Sequence, residues 1–406
     1  MTGTTIAQAI PLASTFILTR LYSPEDFGLF ALFLSITAVT GAIANGQYEQ
    51  AVVLPKKDED ALNIVGLSFF ISIVISLLFL GLVFFFKNEF ANFLGNNNIA
   101  NWLYWIPLSV FLVGTYNSLN FFNIRRKEFK RVSTSLISKS SSSSLIQIIL
   151  GYLSFGTIGL ILGQVSSFLF GNTVLYKTVK ESKHGSFEIS FHKMKELAIK
   201  YKKFPIFSLP SIFVNSVNLN IITFLIASIF STSLLGLYSL TQRVIGIPSR
   251  VIGNSMGQVY FQRASEIYKE KGNTIEIFNK TLKKLILFSC MIFSLIYLSS
   301  EWVFKVVFGK EWAIAGEYAK TLAPLAAVRF ISSTLSSTIV IHEKQQYGLI
   351  MNLILLFSTL LLFFIGDLLK LEFKELLQIY VIVFIFEYLL FLYMYSSISR
   401  SYEESH

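Results

Sequence analysis

The sequence predicts an all-α polytopic membrane protein of about 12 transmembrane helices, arranged as two six-helix bundles related as repeats. Three observations predict it. Of 406 residues, 53% are hydrophobic and 14% charged, with 40 Phe, whereas a soluble chain is nearer a quarter charged. Apolar stretches of about 20 residues, each long enough to cross a bilayer, recur along the whole length. Two stretches 208 residues apart also read almost alike: Ser23-Pro-Glu-Asp-Phe-Gly28-Leu-Phe-Ala-Leu32 and Ser231-Thr-Ser-Leu-Leu-Gly236-Leu-Tyr-Ser-Leu240. The echo continues at Gly95 and Gly309, at Pro107 and Pro324, and at Arg125-Arg-Lys127 and His342-Glu-Lys344. The offsets run only from 208 to 217, so the halves share one helix order and one orientation. Repeated bundles that rock against each other are a common way to alternate access across a membrane.

The predicted spans of the first half run over 3–20, 27–53, 61–86, 102–123, 132–152 and 156–176. Those of the second run over 205–230, 232–256, 281–300, 313–341, 346–366 and 375–396. All read as helices, because a helix satisfies its own backbone in lipid and no alternating barrel pattern occurs. The chain divides into an N-terminal bundle (1–180), a cytoplasmic amphipathic linker helix (181–204) and a C-terminal bundle (205–406). With both termini cytoplasmic, the inner loops hold 23 of the 34 Lys and Arg and the outer loops six. That bias sets the orientation and explains the net charge of +10 without nucleic acid. The start Met1-Thr-Gly-Thr-Thr has neither a basic n-region nor a cleavage site, which reads as no signal peptide.

Each element has local reasons. Ser23 caps the second helix, Pro24 fits its first turn, and Glu25 and Asp26 face the positive end of its dipole. In the linker, Phe191, Met194, Leu197, Ala198, Tyr201 and Phe204 fall at helical spacing with lysines between, the pattern of a basic helix lying on a membrane surface. Gly159, Gly163, Ser167 and Gly171, each four apart, form a packing stripe on the sixth span. Ser140 to Ser144 put hydroxyls all round the fifth span, which implies a wet or helix-packed setting. Cys290 is the only cysteine, so no intrachain disulfide can form.

Charges at membrane depth cost several kcal/mol by conservative scales and usually face a cavity (~3 kcal/mol each). The candidates are Lys139, Arg243, Arg250, Arg329 and Glu387, with the deeper Arg243 and Arg329 expected to lead in binding an anionic group and Arg250 and Lys139 to assist. Arg243, Gly246, Arg250, Gly253 and Gly257 fall on one helical face, and Pro248 loosens the helix between them. Glycine between arginines leaves room for a bulky anionic headgroup, and guanidinium binds phosphate bidentately. Lys139 and Arg250 lie toward the inner surface, where a snorkelling role competes with a substrate role. Glu387 is either a counter-ion for an arginine or a proton carrier. No phosphate-binding loop G-x-x-x-x-G-K-[ST] is present. The four histidines have no metal-like spacing, so neither a metal nor another cofactor is expected. No nucleophile–base arrangement is visible.

Three stretches carry a resemblance to a known family: Ile17-Leu-Thr-Arg-Leu-Tyr-Ser-Pro-Glu-Asp-Phe-Gly28, Tyr48-Glu-Gln-Ala-Val-Val-Leu-Pro55, and Gly236-Leu-Tyr-Ser-Leu-Thr-Gln-Arg243 running on to Gln258-Val-Tyr-Phe-Gln-Arg263. They resemble the Wzx-type O-antigen and polysaccharide flippases of the multidrug/oligosaccharidyl-lipid/polysaccharide exporter superfamily. Gln47 departs from the pattern, which has a basic residue before the Tyr-Glu pair. The resemblance implies a central cationic cavity. It also implies an undecaprenyl-diphosphate-linked oligosaccharide carried from the inner to the outer leaflet of the bacterial cytoplasmic membrane. Its implied partners are membrane lipids, a proton or sodium counter-ion, and polysaccharide polymerase and assembly proteins. Alternatives are a multidrug-type or lipid II-type exporter of the same superfamily, or a membrane glycosyltransferase or polymerase using Glu25 and Asp26.

Overall fold

A computed structural model describes residues 2–93, 99–182 and 189–400. The described residues form helices α1 (Thr2–Leu21), α2 (Pro24–Gly41), α3 (Asp58–Phe93), α4 (Ile99–Trp102), α5 (Trp105–Arg125), α6 (Phe129–Tyr152), α7 (Thr157–Ser182) and α8 (Phe191–Lys200). These are followed by α9 (Leu209–Ile229), α10 (Thr232–Ile245), α11 (Asn254–Lys271), α12 (Ile275–Val303), α13 (Ala313–Leu335), α14 (Thr338–Ile341), α15 (Gln345–Leu368) and α16 (Phe373–Arg400). A wider π-helical turn, Ser249–Gly253, joins α10 to α11. Counting 232–271 as one interrupted rod, twelve long helical elements match the predicted order, and no strand occurs among the described residues. Eight of the helices are long and apolar enough to cross a membrane by length and composition. The chain is therefore a multi-pass membrane protein.

Two boundaries differ most from expectation. The second span was expected to run on to residue 53, but α2 ends at Gly41. Gly46 and Gln47 then take left-handed backbone angles, with φ of 60° and 63°, before a 3-10 turn over Tyr48–Val53. The buried Asn45 side chain holds this break open by donating to Gly114 O at 2.9 Å and Ser118 Oγ at 2.7 Å. The eighth span was expected to end near 256, but α11 continues to Lys271 and stops at left-handed Gly272. Gly95 of the repeat echo lies outside the described residues, as do His184 and His406.

Contacts divide the chain into two compact units, Met1–Gly236 and Leu237–His406. The sequence division at 204/205 follows the duplication. The contact boundary instead follows packing, because α9 lies against α2 inside unit 1. In unit 1, α6 packs on α7 and α1, and α3 and α7 pack on α5. The serines of α6 are packed between helices: Ser140 donates to Ala7 O at 2.7 Å, Ser144 bonds Ser14 Oγ at 3.0 Å, and Ser135 donates to Gly171 O at 3.0 Å. The two repeat starts also meet inside this unit. A Cβ built on Gly28 would lie 1.7 Å from Thr232 O, and one on Gly236 would lie 1.7 Å from Pro24 O. The glycines let two backbones touch through equivalent residues of each repeat.

Ser23 caps α2 as expected. Its hydroxyl accepts from Asp26 N at 3.2 Å, and Asp26 Oδ2 accepts from Ser23 N at 3.0 Å. This capping box satisfies two amides that the helix start leaves open. The second repeat keeps only the serine half of the device, with Leu234 N donating to Ser231 Oγ at 3.2 Å. Helix α8 docks on unit 1 through buried Leu197, the Tyr48 hydroxyl on Ala198 O at 3.0 Å, and Lys193 beside Asp60 at 3.4 Å. The hydrogen bond and charge of Asp60 raise the pKa of Lys193 above the usual lysine value.

In unit 2, α12 and α16 pack on α13, and α15 packs on α16. Phe278, Phe293, Phe330, Leu335, Phe391 and Tyr395 form its core. Large apolar side chains such as Leu298, Phe364 and Ile382 stay exposed on helix faces, as lipid contact requires.

Candidate substrate cavity in unit 2

Pro248 has no N–H to give the helix ladder, and the backbone answers with the π-helical turn Ser249–Gly253. Such turns place side chains out of ordinary helical register and recur at functional sites. Arg250, inside this turn, donates from Nη2 to Arg243 O at 2.7 Å. The rest of its guanidinium faces a cavity of about 370 Å³. Gln242, Gly246, Ser249 and Asn254 line it from this rod, Arg329 and Ser333 from α13, and Tyr380 from α16.

Arg250 and Arg329 are both exposed to the open space. Ion pairs of unit 2 include Lys271–Glu276, Lys320–Glu301 and Lys374–Glu317, and among the described residues neither Arg250 nor Arg329 has a carboxylate partner. The titratable side chains near Arg329 are the tyrosines Tyr388, Tyr380 and Tyr238. Two uncompensated guanidiniums in a space walled by low-dielectric protein raise the local concentration of anions. A second cavity of about 330 Å³ shares Ser249, Asn254 and Ser333 with the first. It adds Gln258, Phe261, Thr334, Ser336 and Ser337, with no charged side chain. The two cavities adjoin at those shared residues, the first lined by two guanidiniums and the second by uncharged hydroxyl and amide groups.

Of the five charges singled out in the sequence, the fold brings Arg250 and Arg329 to this cavity. Arg243 sits half-buried on the same rod, with its carbonyl engaged by Arg250, and is not among the lining residues. Lys139 lies in unit 1. Its ammonium is 3.9 Å from the Tyr116 ring centroid and 3.8 Å from that of Phe168, a cation–π clamp backed by Gly171. Glu387 is buried on α16 and accepts a hydrogen bond from Ser358. Its Oε2 has no hydrogen-bond partner, and it forms no ion pair with an arginine among the described residues. Sequence reasoning missed Gln242, Ser249, Asn254, Ser333 and Tyr380. The signal for Gln242 and Ser249 was their place beside Arg243 and Arg250; the others carry no periodic mark.

Glu25 and Asp26 form no catalytic arrangement. Asp26 is occupied by the cap and by the Thr157 hydroxyl at 2.6 Å.

The fold matches an inward-facing multidrug resistance MATE family transporter of the MOP superfamily, with a TM-score of 0.75 and 14% identity over 97% of this chain and 96% of that one. It also matches the lipid II flippase MurJ in an inward closed conformation, with a TM-score of 0.72 and 16% identity over 97% and 86%. The MATE multidrug transporter DinF-BH matches with a TM-score of 0.65 and 16% identity over 97% and 92%. Residues 17–316 match the family described as "Polysaccharide biosynthesis protein", and the chain belongs to that family. A curated relative, the succinoglycan biosynthesis transport protein ExoT of Rhizobium meliloti (strain 1021), is 24% identical over 304 residues, 74% of this chain. The chain spans 59% of the length of that relative.

Proposed function

We propose that the protein is a flippase for an undecaprenyl-diphosphate-linked oligosaccharide, carrying it from the cytoplasmic to the outer leaflet of a bacterial inner membrane by alternating access. The observation that carries the reading is the pair of adjoining cavities in unit 2. Arg250 and Arg329 suit a diphosphate, because guanidinium pairs with phosphate oxygens bidentately. The adjoining Asn254, Gln258, Ser333 and Ser337 offer uncharged donors and acceptors of the kind a sugar needs. Phe261 adds an apolar face. A cationic drug would find no carboxylate on this lining, which disfavours the multidrug alternative.

In this reading the repeats 1–180 and 205–406 are the rocking bodies, with 181–204 joining them and both termini cytoplasmic. Arg243 supports the pair from the same rod. Lys139 supplies positive charge from unit 1. Glu387, buried with one oxygen unpartnered, is the group for proton or sodium coupling. Polymerase and assembly proteins would take the product.

The test is complementation of a flippase-null strain, scored by surface glycan. Arg329→Ala and Arg250→Ala should each reduce it at least tenfold at equal protein level, and Arg329→Lys should recover only part because lysine cannot bind bidentately. Full surface glycan in the Arg250/Arg329 double alanine variant would overturn the cationic-site reading. Complementing lipid II export, but no oligosaccharide repeat, would move the assignment to the lipid II alternative.

A further inference from the structure

The α11–α12 hairpin carries a separate cleft of about 250 Å³ that shares no residue with the two cavities described above. Its walls are apolar, with Met256 and Val259 from α11 and Ile277 from α12. Its rim is cationic. Arg263 comes from α11, one turn beyond Val259, while Lys280 and Lys284 stand one turn apart on α12. All three are exposed.

Residues 254–284 hold six basic and three acidic side chains. Glu276 pairs with Lys271 at 3.9 Å, and Glu266 accepts from Gln262 at 3.3 Å. No carboxylate lies within ion-pair distance of Arg263, Lys280 or Lys284 among the described residues. Scattered basic residues at a membrane edge are the ordinary device for setting orientation. That device does not explain why three cations from two helices converge on the mouth of an apolar cleft.

We propose that this cleft binds an anionic phospholipid, with the phosphate held by Arg263, Lys280 and Lys284 and the first part of an acyl chain along Met256, Val259 and Ile277. The charge-derived orientation puts the hairpin on the cytoplasmic side, where anionic lipid is concentrated and basic pockets between helices take up lipid headgroups. The inference does not rest on the flippase reading, since the cleft and the arginine-lined cavity are distinct.

Native mass spectrometry of the full-length, detergent-solubilised protein tests it, with phosphatidylglycerol and phosphatidylcholine of matched chains as probes. Wild type should retain phosphatidylglycerol in preference to phosphatidylcholine. The triple variant Arg263→Gln/Lys280→Gln/Lys284→Gln should bind phosphatidylglycerol at least tenfold more weakly. The triple variant Lys269→Gln/Lys271→Gln/Lys283→Gln removes equal charge from the same hairpin outside the cleft, and should bind like wild type. Millimolar inorganic phosphate should not displace the lipid. Equal losses in the two triple variants, or no headgroup preference in wild type, would overturn the proposal. So would displacement by inorganic phosphate, which would make the cleft a simple anion site. Preferential displacement by undecaprenyl diphosphate would also overturn it and make the cleft a port for the substrate instead.

Discussion

Replacing Gly28 with alanine tests the contact between the two repeat starts. The added Cβ would stand 1.7 Å from Thr232 O and 2.7 Å from Thr232 C. An ordinary carbon–oxygen approach is about 3.3 Å, so the crossing must open by about 1.6 Å. The obstacle is backbone, which cannot rotate aside as a side chain can. Overpacking costs about 1–3 kcal/mol, and a backbone obstacle puts Gly28→Ala near the top, about 3 kcal/mol. Gly236→Ala meets Pro24 O at the same 1.7 Å and should cost as much. Once one alanine has opened the crossing, the second finds room, so the double variant should lose clearly less than the sum. Gly81→Ala is the control: nothing lies within 4 Å of its Cβ, and a mid-helix alanine should gain about 0.5–1 kcal/mol. The measurement is the apparent melting temperature of each detergent-purified variant. If Gly28→Ala melts with the wild type, or if the two losses add fully, the close crossing of the repeats is wrong.

Ser23→Ala should cost about 1 kcal/mol by removing the helix cap and leave surface glycan unchanged, read from melting and complementation together. Lys139→Met removes a cation–π clamp worth about 0.5–2 kcal/mol but also a buried charge. It should fold with little change in melting temperature, and reduced surface glycan at normal protein level would mark the charge as functional. Thr274→Val deletes the hydrogen bond to His342 Nε2 at 2.9 Å and should lower stability by about 1–2 kcal/mol. Because Asp60 raises Lys193, their contact contributes fully below the ordinary lysine value of about 10.4 and is lost only as pH rises through the higher folded value. Hydrogen-exchange protection factors in α8, corrected for the intrinsic rise of amide exchange with pH, should therefore not change between neutral and mildly alkaline pH.

Much of the fold was legible because its signals are local. Helix order followed from apolar run length, and the α2 cap from four residues in a row. The break after Gly41 was not legible, because Asn45 fixes it by reaching α5, which is close only after folding. The overrun of α11 was hidden by its polar composition: hydropathy marks where lipid ends, not where a helix does. The site was half legible. Arg250 and Arg329 announce themselves as charges in apolar runs. Arg243 shares that signature, yet it is not among the residues that line the cavity, and no spacing along the rod marks that difference. Lys139 carried the same mark, but its aromatic clamp depends on rings from α5 and α7 that no spacing within α6 reveals.

One end of unit 2 is bolted together by polar contacts between chain segments far apart in sequence. Thr274 N donates to Ser399 O at 3.1 Å, Thr274 Oγ1 bonds His342, and the Tyr260 hydroxyl bonds Thr338 Oγ1 at 2.7 Å. These bonds tie the α11–α12 turn to α14 and to the last turn of α16. Splaying this end would break several buried hydrogen bonds at once, at about 1 kcal/mol each with a further penalty for groups left unpaired. Flexing is cheaper a few turns away, at the proline-loosened wide turn beside Arg250. Unit 2 thus resembles tongs riveted at one end, whose spring is the same stretch of backbone that carries the cavity's guanidinium. Any bending of that spring would swing the charge, so grip and motion would be mechanically the same event.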